Sequence, residues 1–207
     1  MLTRSRFMVY KVLLQTDSVQ YPYSMKPSLS HPTIARVKDG LSDIQLRVTE
    51  FRNNTTLIAD PKDVHRLLRF LRDDPDCNYD LLCDVTAVDY LNYPTKMIGR
   101  FAVVWILAST ESPTRINVKT FINPSIDTSG IEEDPTLIVD SSTDIWPGAE
   151  WREREVFDMF GIRFKNHPDL RRILLWKDYP AHPLRKDYPL QGRNERTNLA
   201  IIGREDS

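Results

Sequence analysis

The side chains that could carry out acid–base, metal or anion chemistry concentrate between Glu150 and Leu190. They form a run of carboxylates and arginines, followed by two segments that each begin with His-Pro. The candidate residues are Glu153, Arg154, Glu155, Asp158, Phe160, Gly161, His167, Pro168, Leu170, Arg171, Arg172, His182, Pro183, Leu184, Arg185, Lys186, Asp187, Tyr188 and Pro189. Groups of these types admit catalysis by acids and bases, metal binding, or recognition of a charged partner.

Metal binding is the weakest of these three chemistries. His167 and His182 each precede a proline, and no Cys-x2-Cys or His-x3-His spacing accompanies them. The two cysteines, Cys77 and Cys83, are too few for an iron–sulfur cluster, which needs about four thiolates. The sequence therefore favours structural histidines, each donating to a carbonyl or a carboxylate.

A stand-alone hydrolase that uses Glu153, Asp158 and His167 is a distant alternative. Such catalysis needs a cleft in which the carboxylates have perturbed pKa values, and a sequence does not show a cleft. No Gly-x-Gly-x-x-Gly loop is present to bind a dinucleotide. Paired carboxylates on one helix are more often structural than catalytic.

A nucleic-acid binder is a second distant alternative, because basic residues interleave with Phe164, Trp176 and Tyr188. Aspartates spaced through the same segment dilute the positive field that a phosphate backbone requires, and the whole chain has a formal net charge of −1. Alternating charges with aromatic side chains are typical of a protein interface instead.

The prolines of this segment also favour a partner protein. Positions 168, 180, 183 and 189 break any long helix and remove donors from a strand. Leucine, isoleucine, tryptophan and tyrosine side chains in the same segment nevertheless prefer to leave water. We therefore expect residues 162–207 to form an extended C-terminal ribbon that binds across a partner.

A helix is predicted directly before the ribbon, over residues 148–161. Its pattern ends at Gly161, a residue suited to the left-handed position that closes a helix. Glu150–Arg154 and Arg154–Asp158 have the i,i+4 spacing of ion pairs. We call this element the signature helix.

Glu153 lies on the apolar face of the signature helix, where an unpaired carboxylate is costly. Two interpretations remain open. Either a ribbon arginine, Arg171, Arg172 or Arg185, forms an ion pair with it, or the carboxylate stays hydrated at the rim of the face.

The elements that must position this segment are predicted in residues 41–147. Alternating apolar residues predict five strands, at 44–49, 55–59, 79–88, 100–108 and 115–122. Asp60 and Pro61 begin the clearest helix, with Val64, Leu67, Leu68 and Leu71 on one stripe. The order β-β-α-β-β-β predicts an α+β fold, a two-layer domain with a mainly antiparallel sheet packed on helix, and residues 123–143 are predicted as a connector.

Residues 1–40 show no sustained periodicity and are predicted as an extended or partly ordered N-terminal arm. Their basic start faintly resembles an organelle-targeting segment, but no clear apolar signal core follows it. The longest apolar run, 101–108, is too short to cross a bilayer. Any association with a membrane must therefore come through a partner.

The ordered motifs of this chain closely resemble the 30 kDa subunit of respiratory complex I, the proton-pumping NADH:quinone oxidoreductase. The matching segments are 84–90, 100–104, 144–149, 153–162, 167–174 and 182–190. Where many members have glycine before each His-Pro, this chain has Asn166 and Ala181, which leaves a positive φ at these positions open.

The resemblance implies a peripheral-arm subunit that has no redox centre or catalytic residue of its own. NADH, FMN, iron–sulfur clusters and quinone would be bound by other subunits, with electron transfer from NADH to quinone coupled to proton translocation. The ribbon would contact the 49 kDa subunit and other hydrophilic subunits, so the candidate residues above would be interface residues.

The same resemblance implies a location on the cytoplasmic side of a bacterial inner membrane, with an organelle inner membrane or a thylakoid membrane as alternatives. The equivalent subunit of a membrane-bound hydrogenase, or of a ferredoxin- or F420H2-driven quinone reductase, remains an alternative of the same class.

Overall fold

A five-stranded sheet organises the described part of the chain, which comprises residues 31–130, 132–193 and 195 of the computed structural model. In chain order the elements are α1 (Pro32–Gly40), β1 (Leu46–Phe51), β2 (Asn54–Ala59), α2 (Pro61–Asp73), β3 (Leu81–Asp89), β4 (Phe101–Ala108), β5 (Arg115–Ile122), β6 (Ile138–Asp140), α3 (Ala149–Phe160) and β7 (Arg163–Lys165). The large sheet has the order β1-β2-β5-β4-β3, and β6 pairs with β7 in a second sheet. Only β2 and β5 are parallel neighbours in the large sheet, so the predicted α+β class with a mainly antiparallel sheet is confirmed.

Local chemistry explains the hairpin and the helix that begin this order. Arg52 and Asn53, between β1 and β2, have φ values of 49° and 64°, as a tight two-residue hairpin turn requires. Pro61 occupies the first position of α2, where its missing N–H costs no helical hydrogen bond. The helix ends at Asp73, shortly before Pro75, as its sequence predicts.

The two faces of the large sheet differ in what covers them. On one face, which we call the helix face, buried residues such as Trp105, Val118 and Leu57 join the same core as the apolar stripe of α2. The opposite face carries the alternate residues of every strand. We call it the open face, and its residues are Arg47, Thr49, Phe51, Asn54, Thr56, Ile58, Leu81, Asp84, Thr86, Val88, Ala102, Val104, Ile106, Ala108, Arg115, Asn117, Lys119 and Phe121.

The expectation of an arm over residues 1–40 is wrong at its end, because Pro32–Gly40 forms α1. Ile34 and Val37 are buried in the core, and the hydroxyl of Thr33 lies 2.8 Å from that of Tyr79. The proline that suggests irregular structure in the sequence occupies the first helical position, where a short helix accepts it. Residues 1–30 lie outside the described residues.

The predicted connector, 123–143, contains strand β6 and a loop held by Asp134. The Asp134 carboxylate accepts hydrogen bonds from the backbone N–H groups of Ser125, Ile126 and Thr136. Burial opposes its ionisation, but these donors and two hydroxyl groups hold the pKa of Asp134 well below its ordinary value. A single carboxylate therefore orders a segment that has no sequence periodicity.

Two neighbouring residues of β4 test the distinction between the faces. Leu107→Ala, on the helix face, should lower the free energy of unfolding by about 2–5 kcal/mol, because Leu107 is fully buried in the core. Ile106→Ala, on the open face, should cost about 1 kcal/mol, the order of a strand preference. Urea unfolding of both variants measures the difference, and equal losses would contradict the assignment of the two faces.

Candidate functional site

The signature helix is observed as α3, with the bounds Ala149–Phe160, and Gly161 ends it as predicted. Gly161 has a φ of 72°, and a Cβ atom there would lie 2.2 Å from Nη2 of Arg185 and 2.7 Å from the ring of His182. Glycine is therefore required both by the backbone conformation and by the ribbon that packs against it. Asn166, before the first His-Pro, also has a positive φ of 64°, whereas Ala181 does not.

Glu153 is fully buried, and both open interpretations of it are wrong. Its Oε2 accepts from the Ser141 hydroxyl at 2.6 Å, and its Oε1 accepts from the N–H and the hydroxyl of Ser142 at 2.7 and 2.6 Å. The Ser142 hydroxyl accepts from the indole N–H of Trp105 at 3.1 Å, which connects α3 to the sheet. Burial raises the pKa of the Glu153 carboxyl despite these donors.

Asp158 organises the first turn of the ribbon. Its fully buried carboxylate accepts from Arg172 Nη1 at 2.7 Å and from the backbone N–H groups of Ile173, Leu174 and Leu175 at 3.0, 2.8 and 2.9 Å. Burial alone would raise the pKa of Asp158, but these four donors together keep it below its ordinary value. The carboxylate therefore binds the ribbon to α3.

Arg154 and Arg172 donate to backbone carbonyls of the ribbon. Arg154 donates to the carbonyls of residues 171 and 172 at 3.1 and 3.3 Å, and its guanidinium lies over the ring of Trp151. Arg172 donates to the carbonyls of Tyr179 and Ala181 at 3.0 and 3.1 Å. The predicted Glu150–Arg154 and Arg154–Asp158 ion pairs are absent from the described part of the chain, because the ribbon takes these donors.

Arg185 is 4% exposed and lies inside the chain. Its Nε donates to the Phe160 carbonyl at 2.7 Å, its Nη1 donates to the Thr128 carbonyl at 3.0 Å, and its guanidinium lies over the Phe101 ring. Burial lowers the pKa of Arg185 from its ordinary value, and the nearby carboxylates of Asp187, Asp89 and Asp134 favour its charged form. In the described residues this side chain therefore makes its contacts within its own chain.

The far part of the ribbon is held at the end of the sheet by Arg100. The guanidinium donates to Asp89 at 3.1 and 3.0 Å and to Asp187 at 2.8 Å. Asp187 also accepts from the Thr128 hydroxyl, and Asp89 accepts the backbone N–H of Lys186 at 2.9 Å. Burial opposes ionisation of Asp187, but Thr128 and Arg100 keep its pKa below the ordinary value.

Both ribbon histidines are hydrogen-bonded to backbone carbonyls, as the sequence predicts. His167 donates from Nε2 to the Glu150 carbonyl at 3.0 Å and accepts the Asp169 N–H at Nδ1, also at 3.0 Å. His182 donates from Nδ1 to the Asp158 carbonyl at 2.9 Å. Burial lowers the pKa of His182 to about 4, so this imidazole is neutral at physiological pH.

The described part of the ribbon therefore packs against its own domain, where the sequence predicts an extended segment that binds across a partner. The candidate residues fall into three groups. Buried are Glu153, Arg154, Asp158, Phe160, Gly161, His182 and Arg185. Half-buried are Glu155, His167, Leu170, Arg172, Pro183, Asp187 and Tyr188, and exposed are Pro168, Arg171, Leu184, Lys186 and Pro189. Residues 194 and 196–207 of the predicted tail lie outside the described residues.

Several large apolar side chains of α3 and the ribbon are exposed to solvent. Trp151, Leu174, Trp176, Leu184 and Leu190 are 60%, 63%, 38%, 52% and 107% exposed. We call these five residues the outer strip. The sequence shows their hydrophobicity but does not single them out, because polar and apolar residues alternate in the ribbon with neither a helical nor a strand period.

The described residues offer no cluster for a metal ion, since nowhere among them do three or more His, Cys, Asp and Glu side chains meet as ligands. In the same part of the chain no helix has the length and apolarity that crossing a membrane requires.

Comparison with known proteins gives the same family as the motifs. The model of the family described as "Respiratory-chain NADH dehydrogenase, 30 Kd subunit" matches residues 57–194. The chain belongs to this family. The predicted resemblance is thereby confirmed, and with it the place of the chain as a subunit of an NADH dehydrogenase complex.

Curated relatives and a solved structure agree. The C-subunit of the NADH-quinone oxidoreductase of Citrifermentans bemidjiense is 43% identical over 77% of this chain and 89% of that protein. The corresponding protein of Roseiflexus castenholzii is 42% identical over 79% of this chain and 86% of its own length. A solved trypsin-resistant fragment (1-134) of Nqo5 has 27% identity and a TM-score of 0.52, covering 66% of this chain and 98% of the fragment.

Asp158→Asn should release the ribbon from α3. The substitution removes the charge that pairs with Arg172 and leaves a buried guanidinium uncompensated, so unfolding free energy should fall by about 3–5 kcal/mol. Limited proteolysis should then cut within the ribbon. The matched control is Asp169→Asn, whose exposed pair with Arg171 should contribute about 0–1 kcal/mol. Equal losses for the two variants would contradict this role of Asp158.

His182 should make the folded protein less stable in acid. Its folded pKa is about 4 against 6.5 when unfolded, so below pH 6.5 the unfolded chain binds the proton first. About 3 kcal/mol of unfolding free energy should therefore be lost between pH 6.5 and 4. His182→Asn keeps a donor near Nδ1 but does not titrate.

Urea unfolding at several pH values measures the free energy of unfolding of wild type and of His182→Asn. The difference between the two gives the contribution of His182 protonation. Glu153, whose pKa is raised, acts in the opposite direction as pH falls, but it is common to both proteins. His65→Asn, at a more exposed histidine of α2, is the control. Parallel pH profiles for wild type and His182→Asn would contradict the prediction.

Proposed function

We propose that this chain is a non-redox subunit of the peripheral arm of an NADH:quinone oxidoreductase, and that it binds neighbouring hydrophilic subunits through the outer strip. The observation that carries the proposal is the exposure of large apolar side chains beside buried charged ones. Glu153, Asp158 and Arg185 are buried within the chain, while Trp151, Leu174 and Leu184 are exposed to solvent. Exposed apolar side chains of this size in one region are characteristic of a protein interface.

The state of the buried polar groups supports a structural role. The Glu153 carboxylate and the His182 imidazole are bonded to groups of the same chain, and both lie below the surface. A general acid or base must reach a substrate, whereas these side chains fix the position of the ribbon. Membership of the family and the hydrogen bonds of Glu153 and His182 within the chain together favour a role in assembly over a role in catalysis.

The position of the strip supports one continuous contact surface along α3. Trp151 and Asp158 are separated by two helical turns on the same side of α3, and Leu174 donates its N–H to Asp158. Leu184 donates its N–H to the carbonyl of Met159, near the C-terminal end of the helix. The apolar side chains thus follow the helix from its first turn to its last.

The partners that this proposal assigns to the strip are the 49 kDa subunit and other hydrophilic subunits. NADH, FMN, iron–sulfur clusters and quinone would be bound by those subunits rather than by this chain. The contact would place the chain at the cytoplasmic side of a bacterial inner membrane, held there through the complex. Identities of 43% and 42% to the C-subunits of two bacterial complexes support a bacterial complex as its setting.

The test is recovery of the tagged full-length chain from detergent-solubilised membranes of its host, with identification of its companions by mass. We expect the hydrophilic subunits of a quinone reductase. Leu184→Asp should reduce their recovery about tenfold or more, as at a central interface residue, without changing the melting temperature of the isolated chain. Ile138→Asp is the matched control, because Ile138 is 37% exposed but lies in β6, outside the strip and outside the large sheet.

If the recovered proteins are subunits of a hydrogenase, this chain is the equivalent subunit of that related assembly. Recovery of the chain alone, or with unrelated proteins, would overturn the proposal. Equal loss of partners for Leu184→Asp and Ile138→Asp would keep the family assignment but remove the outer strip as the contact surface.

A further inference from the structure

The open face of the sheet lies outside the hydrophobic core of the described residues, although Ala102 on this face is fully buried. Its apolar side chains, among them Ile58, Val88, Val104, Ile106 and Phe121, are half-buried and lie outside the core that α1, α2 and α3 share with the helix face. Neighbouring strands place them side by side, since Thr86 pairs with Val104, and Val104 with Lys119. They form a continuous apolar centre on a second side of the molecule, away from the core helices.

The charges on the open face are mostly positive. Arg47 and Arg115 are exposed, and no carboxylate of the described residues lies within ion-pair distance of either. Lys119 adds a third cation. The acidic residue of this face, Asp84, lies 3.4 Å from Arg152 of α3 and is thereby compensated.

Aromatic residues border the same surface at the end of β3 and β5. Lys119 donates to the Tyr90 hydroxyl at 3.0 Å, and its Nζ lies 5.5 Å from the ring centroids of both Tyr90 and Phe121. Tyr90 packs edge-to-face with Tyr93, which is 48% exposed, at 5.4 Å between centroids. Tyrosines beside a cation and an apolar centre are typical of contact surfaces for proteins.

We propose that the open face is a second docking surface, and that its occupant is an acidic segment with apolar side chains from another subunit of the complex. The identity of the occupant as a complex subunit depends on the proposed function. The acidic residues would face Arg47, Arg115 and Lys119, and the apolar ones would cover Val104 and Ile106. Charge complementarity selects this chemistry and orients the segment across the strands.

Two other occupants fit less well. Residues 1–30 of this chain carry Arg4, Arg6, Lys11 and Lys26 against a single acid, Asp17, so they have the same sign of charge as the face. A second copy of the chain would bring two such cationic faces together. From strand spacing and length the face presents roughly 500 Å². A standard interface buries about 800 Å² per partner, which is more than this face offers. The area therefore suits one contact within a larger assembly better than a self-contained dimer.

A photo-cross-linking amino acid at Thr86, an exposed residue of the open face, tests the proposal in the full chain within host membranes. The control position is Lys62, an exposed residue at the start of α2 on the other side of the sheet. We expect Thr86 to cross-link to another subunit of the same complex, within a peptide that mass spectrometry shows to be rich in Asp and Glu and to contain apolar residues. Lys62 should not give this product.

Charge reversal provides the second readout. The double variant Arg47→Glu with Arg115→Glu should lower the yield of the Thr86 product about tenfold or more. The control double variant Lys38→Glu with Lys62→Glu reverses two exposed cations of α1 and α2 and should leave the yield unchanged. Unchanged melting temperatures of both variants would show that the sheet is intact.

The outcomes separate this inference from the proposed function. If the complex is recovered but Thr86 yields no product, or cross-links to residues 1–30 or to a second copy of the chain, the docking surface is overturned while the subunit role stands. A basic cross-linked peptide, or a product that is insensitive to charge reversal, also overturns it. Failure to recover any quinone reductase subunit with the unmodified chain would instead overturn the proposed function.

Discussion

The arrangement of the C-terminal part of this protein depends on the buried carboxylate of Asp158. It lies near the end of α3 and receives one guanidinium and three backbone N–H groups from the ribbon. Four donors on one buried ion compensate the cost of removing it from water, and they also fix the path of the chain. The arginine that neutralises Asp158 donates in turn to two later carbonyls, so the first turn of the ribbon positions the next.

This interaction explains why a segment rich in proline can fold without regular hydrogen bonding. Proline removes N–H donors and leaves carbonyl oxygens without ladder partners. Arg154, Arg172 and Arg185 supply donors from their side chains to carbonyls along the ribbon and at the end of α3. With the polar atoms satisfied inside, the large apolar side chains between the arginines are left on the outside. The alternation of arginines with large apolar residues thus gives the ribbon both its internal hydrogen bonds and its apolar outer surface.

Much of the fold can be predicted from the sequence, and the exceptions share a physical cause. The stripe of α2 and the end of α3 at Gly161 follow local rules, so the sequence predicts both correctly. The partners of Glu153 are Ser141 and Ser142, which lie in an aperiodic connector and carry no signal of proximity. The charged residues of the ribbon suggest a partner protein because long-range pairing, such as that of Arg185 with residue 128, has no local signature.

The placement of Arg185 has a consequence for the order in which this polypeptide matures. Its guanidinium is enclosed by oxygens that belong to the end of α3 and to the loop at residue 128, more than fifty positions earlier in the chain. During synthesis those oxygens emerge from the ribosome before the guanidinium does. The surface that displays Leu184 therefore takes its final shape only after the ribbon has been synthesised, so neighbours that recognise this surface bind a chain whose sheet and α3 are already made.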